Sequence, residues 1–155
     1  MSPISLDDLD RKIIDRLAHN ARASNREIAR EFGLTEGTIR ARLKRLREAK
    51  AIRVTAVTNV DRLRNPLLAY LWIEVESAAQ MNDVAEALAK LREITFVATM
   101  LGRADVLAMT LVESGDDLAR FLHSTIDQIP GVHRVQYTLG QKFVKHDYRW
   151  CAIVD

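Results

Sequence analysis

The residues best suited to meeting a polyanion lie together in the N-terminal third of the chain. Residues 35–47 read Thr35-Glu36-Gly37-Thr38-Ile39-Arg40-Ala41-Arg42-Leu43-Lys44-Arg45-Leu46-Arg47. Wound as a helix, they bring Ile39, Leu43 and Leu46 onto one apolar stripe, at i, i+4 and i+7. At about 100° per residue, Gly37, Thr38, Arg40, Ala41, Lys44 and Arg45 face away from that stripe. The outer face is then small and neutral at its N-terminal end and cationic beyond it. A helix entering the major groove of double-stranded DNA needs this distribution. Small residues let its first turn approach base edges, and flanking Arg and Lys neutralise phosphates. Gly37 and Thr38 are therefore the candidates for approach to bases, and Arg40, Lys44 and Arg45 for bases or phosphates. Arg42 sits beside the stripe, where it can anchor a phosphate or brace the helix. An ordinary solvated basic face has the same composition, so the elements in front of this stretch must decide.

Those elements have a definite layout. Ser24-Asn25-Arg26-Glu27 is a capping box, in which the Ser24 hydroxyl accepts from the Glu27 amide and Glu27 reaches back to the Ser24 amide. A short helix follows with Ile28, Ala29 and Phe32 inward. Gly33 and Leu34 then turn the chain, and Thr35 caps the next helix. The small Ala29 stands where the two helices cross. A tight glycine turn, a close crossing and a second helix presented outward make a helix-turn-helix. Ser24 and Thr35, at the two helix N-termini, complete the candidate DNA-binding set.

The charge distribution agrees. Residues 1–60 hold 13 Lys/Arg and 8 Asp/Glu, a net +5, whereas residues 61–155 hold 10 and 13, a net −3. A basic first part joined to an acidic second part implies that only the first meets a polyanion. The chain has one cysteine, Cys151, so neither an intrachain disulfide nor a cysteine-based zinc site is expected. His19, His123, His133 and His146 are scattered without metal-ligand spacing. Asp116-Asp117 reads as a pair at the positive end of a helix dipole, not as an acid/base dyad. No phosphate-cradling glycine loop or serine nucleophile elbow is present. The N-terminus carries Asp7, Asp8 and Asp10 in place of a basic, then apolar, leader. No stretch approaches the ~20 apolar residues that span a bilayer. The expectation is a cytoplasmic protein with no membrane contact, no metal and no cofactor.

The remaining elements follow from periodicity. Residues 5–19 read as a first helix through Leu9, Ile13, Ile14 and Leu17. Residues 51–57, rich in β-branched side chains, are expected to form a small wing or a departing strand in which Arg53 can touch phosphate. Residues 61–66, ending in Asn65-Pro66, read as a linker, which divides the chain into domains 1–60 and 67–155. In the second domain, strands are expected at 67–76, 94–101, 105–112 and 132–144, and helices at 82–91 and 116–129. The order β-α-β-β-α-β is the ferredoxin-like pattern, so the fold class is α+β. Both helices lie on one face of such a sheet. Tyr70, Trp72 and their neighbours on the other face predict a partner, most simply a second copy of the chain. The tail, Asp147-Tyr148-Arg149-Trp150, offers an aromatic pair for packing or assembly.

With these residues in place, the whole chain resembles the Lrp/AsnC family of feast/famine transcription regulators. The N-terminal match runs through Leu6-Asp7, Asp10, Ile13-Ile14, Ile28-Ala29, Gly33-Leu34-Thr35, Ile39, Arg42-Leu43, Leu46 and Ile52. The C-terminal match runs through Leu101-Gly102, Asp105, Ile129-Pro130-Gly131-Val132 and Lys145. The resemblance implies a winged helix-turn-helix joined to a sensing domain, dimers through the sheet that often assemble into octamers, and DNA binding that responds to a small-molecule effector, usually an amino acid. It assigns effector binding to the loop Leu101-Gly102-Arg103-Ala104-Asp105. There Gly102 lets the backbone approach a ligand and Asp105 can take an α-ammonium. A hairpin glycine and a turn cap are the plain structural readings of the same two residues. Val135 and Tyr137 stand where many members carry Thr-x-Thr facing the effector, which favours an apolar or aromatic ligand side chain. Lys50 stands where the family usually has a glycine.

Two other functions fit the same architecture. Sirohaem decarboxylases share it and bind a tetrapyrrole, but they have no need of a cationic outer face on residues 35–47. An architectural, nucleoid-compacting protein would wrap DNA with weak sequence preference.

Overall fold

The computed structural model describes residues 4–142, 144 and 145. The expected tail contacts of residues 147–150, together with His146 and Cys151, lie outside the described residues. The described chain forms two compact units that divide between Val57 and Thr58.

The first unit holds three helices, α1 (Asp8–His19), α2 (Asn25–Phe32) and α3 (Glu36–Glu48). Each begins at a side-chain cap. Asp7 caps α1 in a capping box with Asp10, Ser24 caps α2 in a capping box with Glu27, and Thr35 caps α3. The first box starts α1 at Asp8, later than the periodicity of residues 5–19 implied. Ile13, Ala23, Ile28, Ala29, Ile39 and Leu43 form the core, flanked by Leu9, Leu17, Phe32 and Ile52.

Both α2 and α3 end in the same device. The Leu34 amide donates to the Ala29 carbonyl at 2.8 Å, around a left-handed Gly33 (φ +66°). The Ala51 amide donates to the Leu46 carbonyl at 2.8 Å and the Lys50 amide to the Arg47 carbonyl at 2.9 Å, around a left-handed Lys50 (φ +52°). These are Schellman closures. Glycine serves the first without strain, whereas Lys50 carries a Cβ into a region that disfavours it.

The wing expected at residues 51–57 is absent. These residues form no strand, and Val54 and Val57 are exposed. A β-rich sequence becomes a strand only against a ladder partner. The first unit offers none among the described residues.

The second unit is a four-stranded antiparallel sheet in the order β2-β3-β1-β4, built from β1 (Leu67–Val75), β2 (Ile94–Thr99), β3 (Val106–Val112) and β4 (Val132–Gly140). Helices α4 (Met81–Ala89) and α5 (Gly115–Phe121) follow β1 and β3. Ala69, Leu71 and Ile73 of β1 and Val106 and Ala108 of β3 meet Val84, Leu88, Leu118 and Ile126 to form one core. The helix expected over 116–129 closes early, in a π-type turn at Leu122–Ile126 where Asp127 N donates to Leu122 O at 2.9 Å. Ile126 is thereby fully buried, whereas Thr125 beside it is only half-buried. Thr110, buried beside this core, satisfies its hydroxyl on the Glu93 carbonyl at 2.9 Å. No helix among the described residues is long and apolar enough to cross a membrane.

Replacing Lys50 with glycine should relieve the left-handed strain at the end of α3. Lys50→Gly removes the left-handed penalty of a Cβ, roughly 1–2 kcal/mol before the greater unfolded-state entropy of glycine is set against it, and is expected to stabilise the N-terminal unit. Urea unfolding followed by helical circular dichroism reads this as a higher midpoint, and a lower midpoint would count against the closure.

Candidate DNA interface and effector loop

The outward face of α3 is built by what its inward face buries. Ile39, Leu43 and Leu46 are buried, and their spacing turns Gly37, Arg40, Ala41 and Lys44 outward, where all four are exposed. Thr38 is half-buried, because its hydroxyl shares a 2.9 Å hydrogen bond with that of Thr35 and its amide donates to Thr35 Oγ1 at 3.2 Å. The Ser24 hydroxyl accepts from the Glu27 amide at 3.2 Å and remains on the surface. The structure therefore brings Thr35, Gly37, Thr38, Arg40 and Lys44 onto one helix, with a small N-terminal turn and cations behind it.

Arg42 and Arg45 behave differently. Asp10, on α1, has no solvent exposure. Arg42 donates to Asp10 at 3.2 Å and also to Asp7, and Arg45 donates to Asp10 as well. Both arginines are partly exposed, at 32% and 45% of their side chains. Arg42 thus acts as the brace that its position beside the stripe allowed, and Arg45 joins it. The other two cations pair within α3, Arg40 with Glu36 and, at 3.7 Å, Lys44 with Glu48. Such exposed i, i+4 pairs are weak and readily exchanged for a stronger anion.

The Asp7 carboxyl lies at about 2, below its ordinary 3.8. The largest cause is the Asp10 backbone amide, which donates to it at 2.8 Å, followed by the Arg42 guanidinium. Glu27 is lowered too, chiefly by the Ser24 amide that it accepts at 2.7 Å.

In the second unit, the loop between β2 and β3 is closed by Met100 N donating to Asp105 O at 2.8 Å. Leu101, Gly102 and Arg103 are exposed, and Ala104 is buried. Gly102 takes φ +131°, and a Cβ there would meet nothing within 4 Å. The backbone torsion is what calls for glycine here, and the space beside it is open. Asp105 is tied inward. Its amide donates to Ile73 O at 3.1 Å and its carboxylate accepts from Val75 N at 2.8 Å. The carboxylate of Asp105 thus caps the end of β1, thirty residues away, in place of its own turn.

Arg103 reaches the sheet face opposite the helices, 5.4 Å from the Trp72 ring centroid and 3.4 Å from Gln136 Oε1. Val135 and Tyr137 are on the other face. They pair with Ile73 and Leu71, and Val135 packs against the helix-side core while Tyr137 is 55% exposed. Within one protomer the two parts of the effector set do not converge on one surface. The alternation of β4 decides this, and it became legible only once the register was known. Among the described residues, no group of three or more His, Cys, Asp or Glu is placed to hold a metal ion.

The comparisons with known proteins cover both units. Residues 6–47 match the AsnC-type helix-turn-helix domain, and residues 63–153 match a family described as the PF0864 C-terminal dimeric alpha+beta barrel domain. The HTH-type transcriptional regulator FL11 of Pyrococcus abyssi is 38% identical over 130 residues, covering 83% of this chain and 85% of that protein. The structure of Escherichia coli AsnC superposes with a TM-score of 0.82 at 23% identity, covering 93% of this chain and 97% of that one. A Neisseria meningitidis transcriptional regulator, NMB0573, solved as a complex with L-Met, superposes with a TM-score of 0.81 at 23% identity, covering 95% and 97%.

The carboxylate contacts of both units can be tested. A carboxyl lowered on folding contributes stability that is whole above its unfolded value and lost as the pH falls through its folded one. Asp7 should therefore release its contribution between its ordinary 3.8 and about 2. Asp7→Asn should flatten this acid limb in a titration of helical circular dichroism, and an unchanged limb would count against the Asp7 contacts. Asp105→Ala leaves the Val75 amide without its acceptor and should destabilise the second unit by roughly 1–3 kcal/mol in urea unfolding. A loss near zero would mean that the cap is dispensable.

Proposed function

From the premise that the chain belongs to the Lrp/AsnC family of transcriptional regulators, we propose that α3 reads double-stranded DNA sequence-specifically and that the C-terminal unit makes this binding respond to a small molecule, an amino acid by class. In this reading residues 1–60 bind DNA, residues 61–66 link, and residues 67–155 sense and assemble.

The observation that carries the DNA half is the outward face of α3. Gly37 and Thr38 lie in its first turn with Arg40, Ala41 and Lys44 behind them, all held clear of the core by the buried Ile39, Leu43 and Leu46. The matched C-terminal family is dimeric, and a symmetric dimer presents two such helices to two half-sites. Assembly of dimers into an octamer is the further step we propose. The pairing of two copies from which it starts is supported by the apolar residues that a single copy leaves on the open sheet face, among them Phe96 and the half-buried Tyr70 and Met109.

The effector half is supported by the neisserial protein solved with L-Met, and by a loop with an exposed Leu101 and an open Gly102 backbone. The curated relatives are named as transcriptional regulators, so the chain is a regulator and not a tetrapyrrole decarboxylase.

The test begins with selection of bound sequences from a random duplex pool. A palindromic motif is expected, bound more weakly as salt rises. On that motif Arg40→Ala should cost about 1–3 kcal/mol if Arg40 reads guanine, or reduce the salt slope by about one if it meets a phosphate. Unchanged binding would remove Arg40 from the interface. A screen of amino acids on the same duplex then tests the effector half, and light scattering with and without the active amino acid tests assembly.

A further inference from the structure

Which cations remain to meet phosphate is decided by the internal ion pairs of the N-terminal unit. On α3, Arg42 and Arg45 converge on Asp10. A buried carboxylate is costly to leave unpaired, so these two guanidiniums are held where they are. On α2 the situation is reversed. Arg26 and Arg30 are exposed and one turn apart, and among the described residues no ion pair engages either side chain.

These two arginines border a concavity of about 440 Å³ with Ala29, Leu34, Glu27 and Glu36. It opens beside the first turn of α3, next to the residues nominated for base contact. Its two carboxylates are engaged, since Glu27 accepts from the Ser24 amide and Glu36 pairs with Arg40. The Arg26 and Arg30 side chains are left to present their N–H donors to an incoming anion.

Resting on the DNA-binding reading, we propose that Arg26 and Arg30 of α2, and not Arg42 and Arg45 of α3, neutralise the DNA phosphates that flank the recognition helix. The α2 pair grips the backbone, and the α3 pair positions the helix through Asp10.

The experiment compares the full-length chain with Arg26→Gln/Arg30→Gln, Arg26→Lys/Arg30→Lys and Arg45→Gln, using fluorescence anisotropy on a labelled mixed-sequence duplex across a salt series. Removing one cation from a phosphate should lower the slope of log K against log salt by about 0.9. The Gln double variant should therefore lose about 1.8 for each protomer engaged, with its circular dichroism unchanged, and the Lys double variant should keep most of the slope. Arg45→Gln should keep the slope and melt at a lower temperature. An unchanged slope in the Gln double variant, or a drop of about 0.9 in Arg45→Gln, would overturn this inference while wild-type binding leaves the regulator reading intact. A wild type that binds no duplex even at low salt would overturn both.

Discussion

The N-terminal unit depends on one buried carboxylate. Asp10 is without solvent exposure, and an ionised carboxylate there is tolerated only when its charge and lone pairs are met. Both are met, by Arg42 and Arg45 from a helix more than thirty positions away and by the Asp7 amide at 3.1 Å. The same residue thus starts α1, through the capping box, and ties it to α3. Apolar packing of Ile13 against Ile39 and Leu43 brings the helices together, but such contacts tolerate rotation. Two guanidiniums aimed at one carboxylate tolerate much less. The presentation of Gly37, Thr38, Arg40 and Lys44 follows from that constraint.

The C-terminal unit is ordered by a different rule. Its helix-side core is apolar apart from Thr110, whose hydroxyl is satisfied, and strand alternation assigns every side chain to one face or the other. The helix-side face is closed within the chain. The opposite face carries Trp72, whose indole donates to Thr138 Oγ1 at 3.3 Å and lies under Arg103, among apolar residues that a single copy leaves partly open. A dimeric family domain is the physical answer to such a face. The loop between β2 and β3 hangs from the end of this sheet. Asp105 fastens it to β1 through its amide and its carboxylate, and this anchoring holds Leu101 and Gly102 in solvent with a defined backbone while Arg103 lies over Trp72.

Much of this was legible in the residues themselves. The caps at Ser24 and Thr35, the αL glycine at Gly33, the buried stripe of α3 and the β-α-β-β-α-β order all arise from local chemistry or from short-range periodicity. Such signals survive without knowledge of the rest of the chain. The composition of α3 likewise nominated its outward face. Residues 51–57 form no strand, because β propensity states a preference whereas a strand requires a ladder, and none is formed with another described residue.

What the sequence by itself determined, then, is which segments are helices and strands, residues 51–57 excepted, where most of them start, and which α3 residues face outward. Only the tertiary structure decided which α3 cations are tied to the buried Asp10. Charges on a helix face look alike until burial shows which of them has a buried counter-charge, and Asp10 is too distant in sequence for any periodicity to link it to Arg45. The same holds for Val135 and Tyr137, whose side of the sheet depends on their pairing with Ile73 and Leu71. Electrostatic pairing and strand register are long-range properties, and they exist only once the chain has folded.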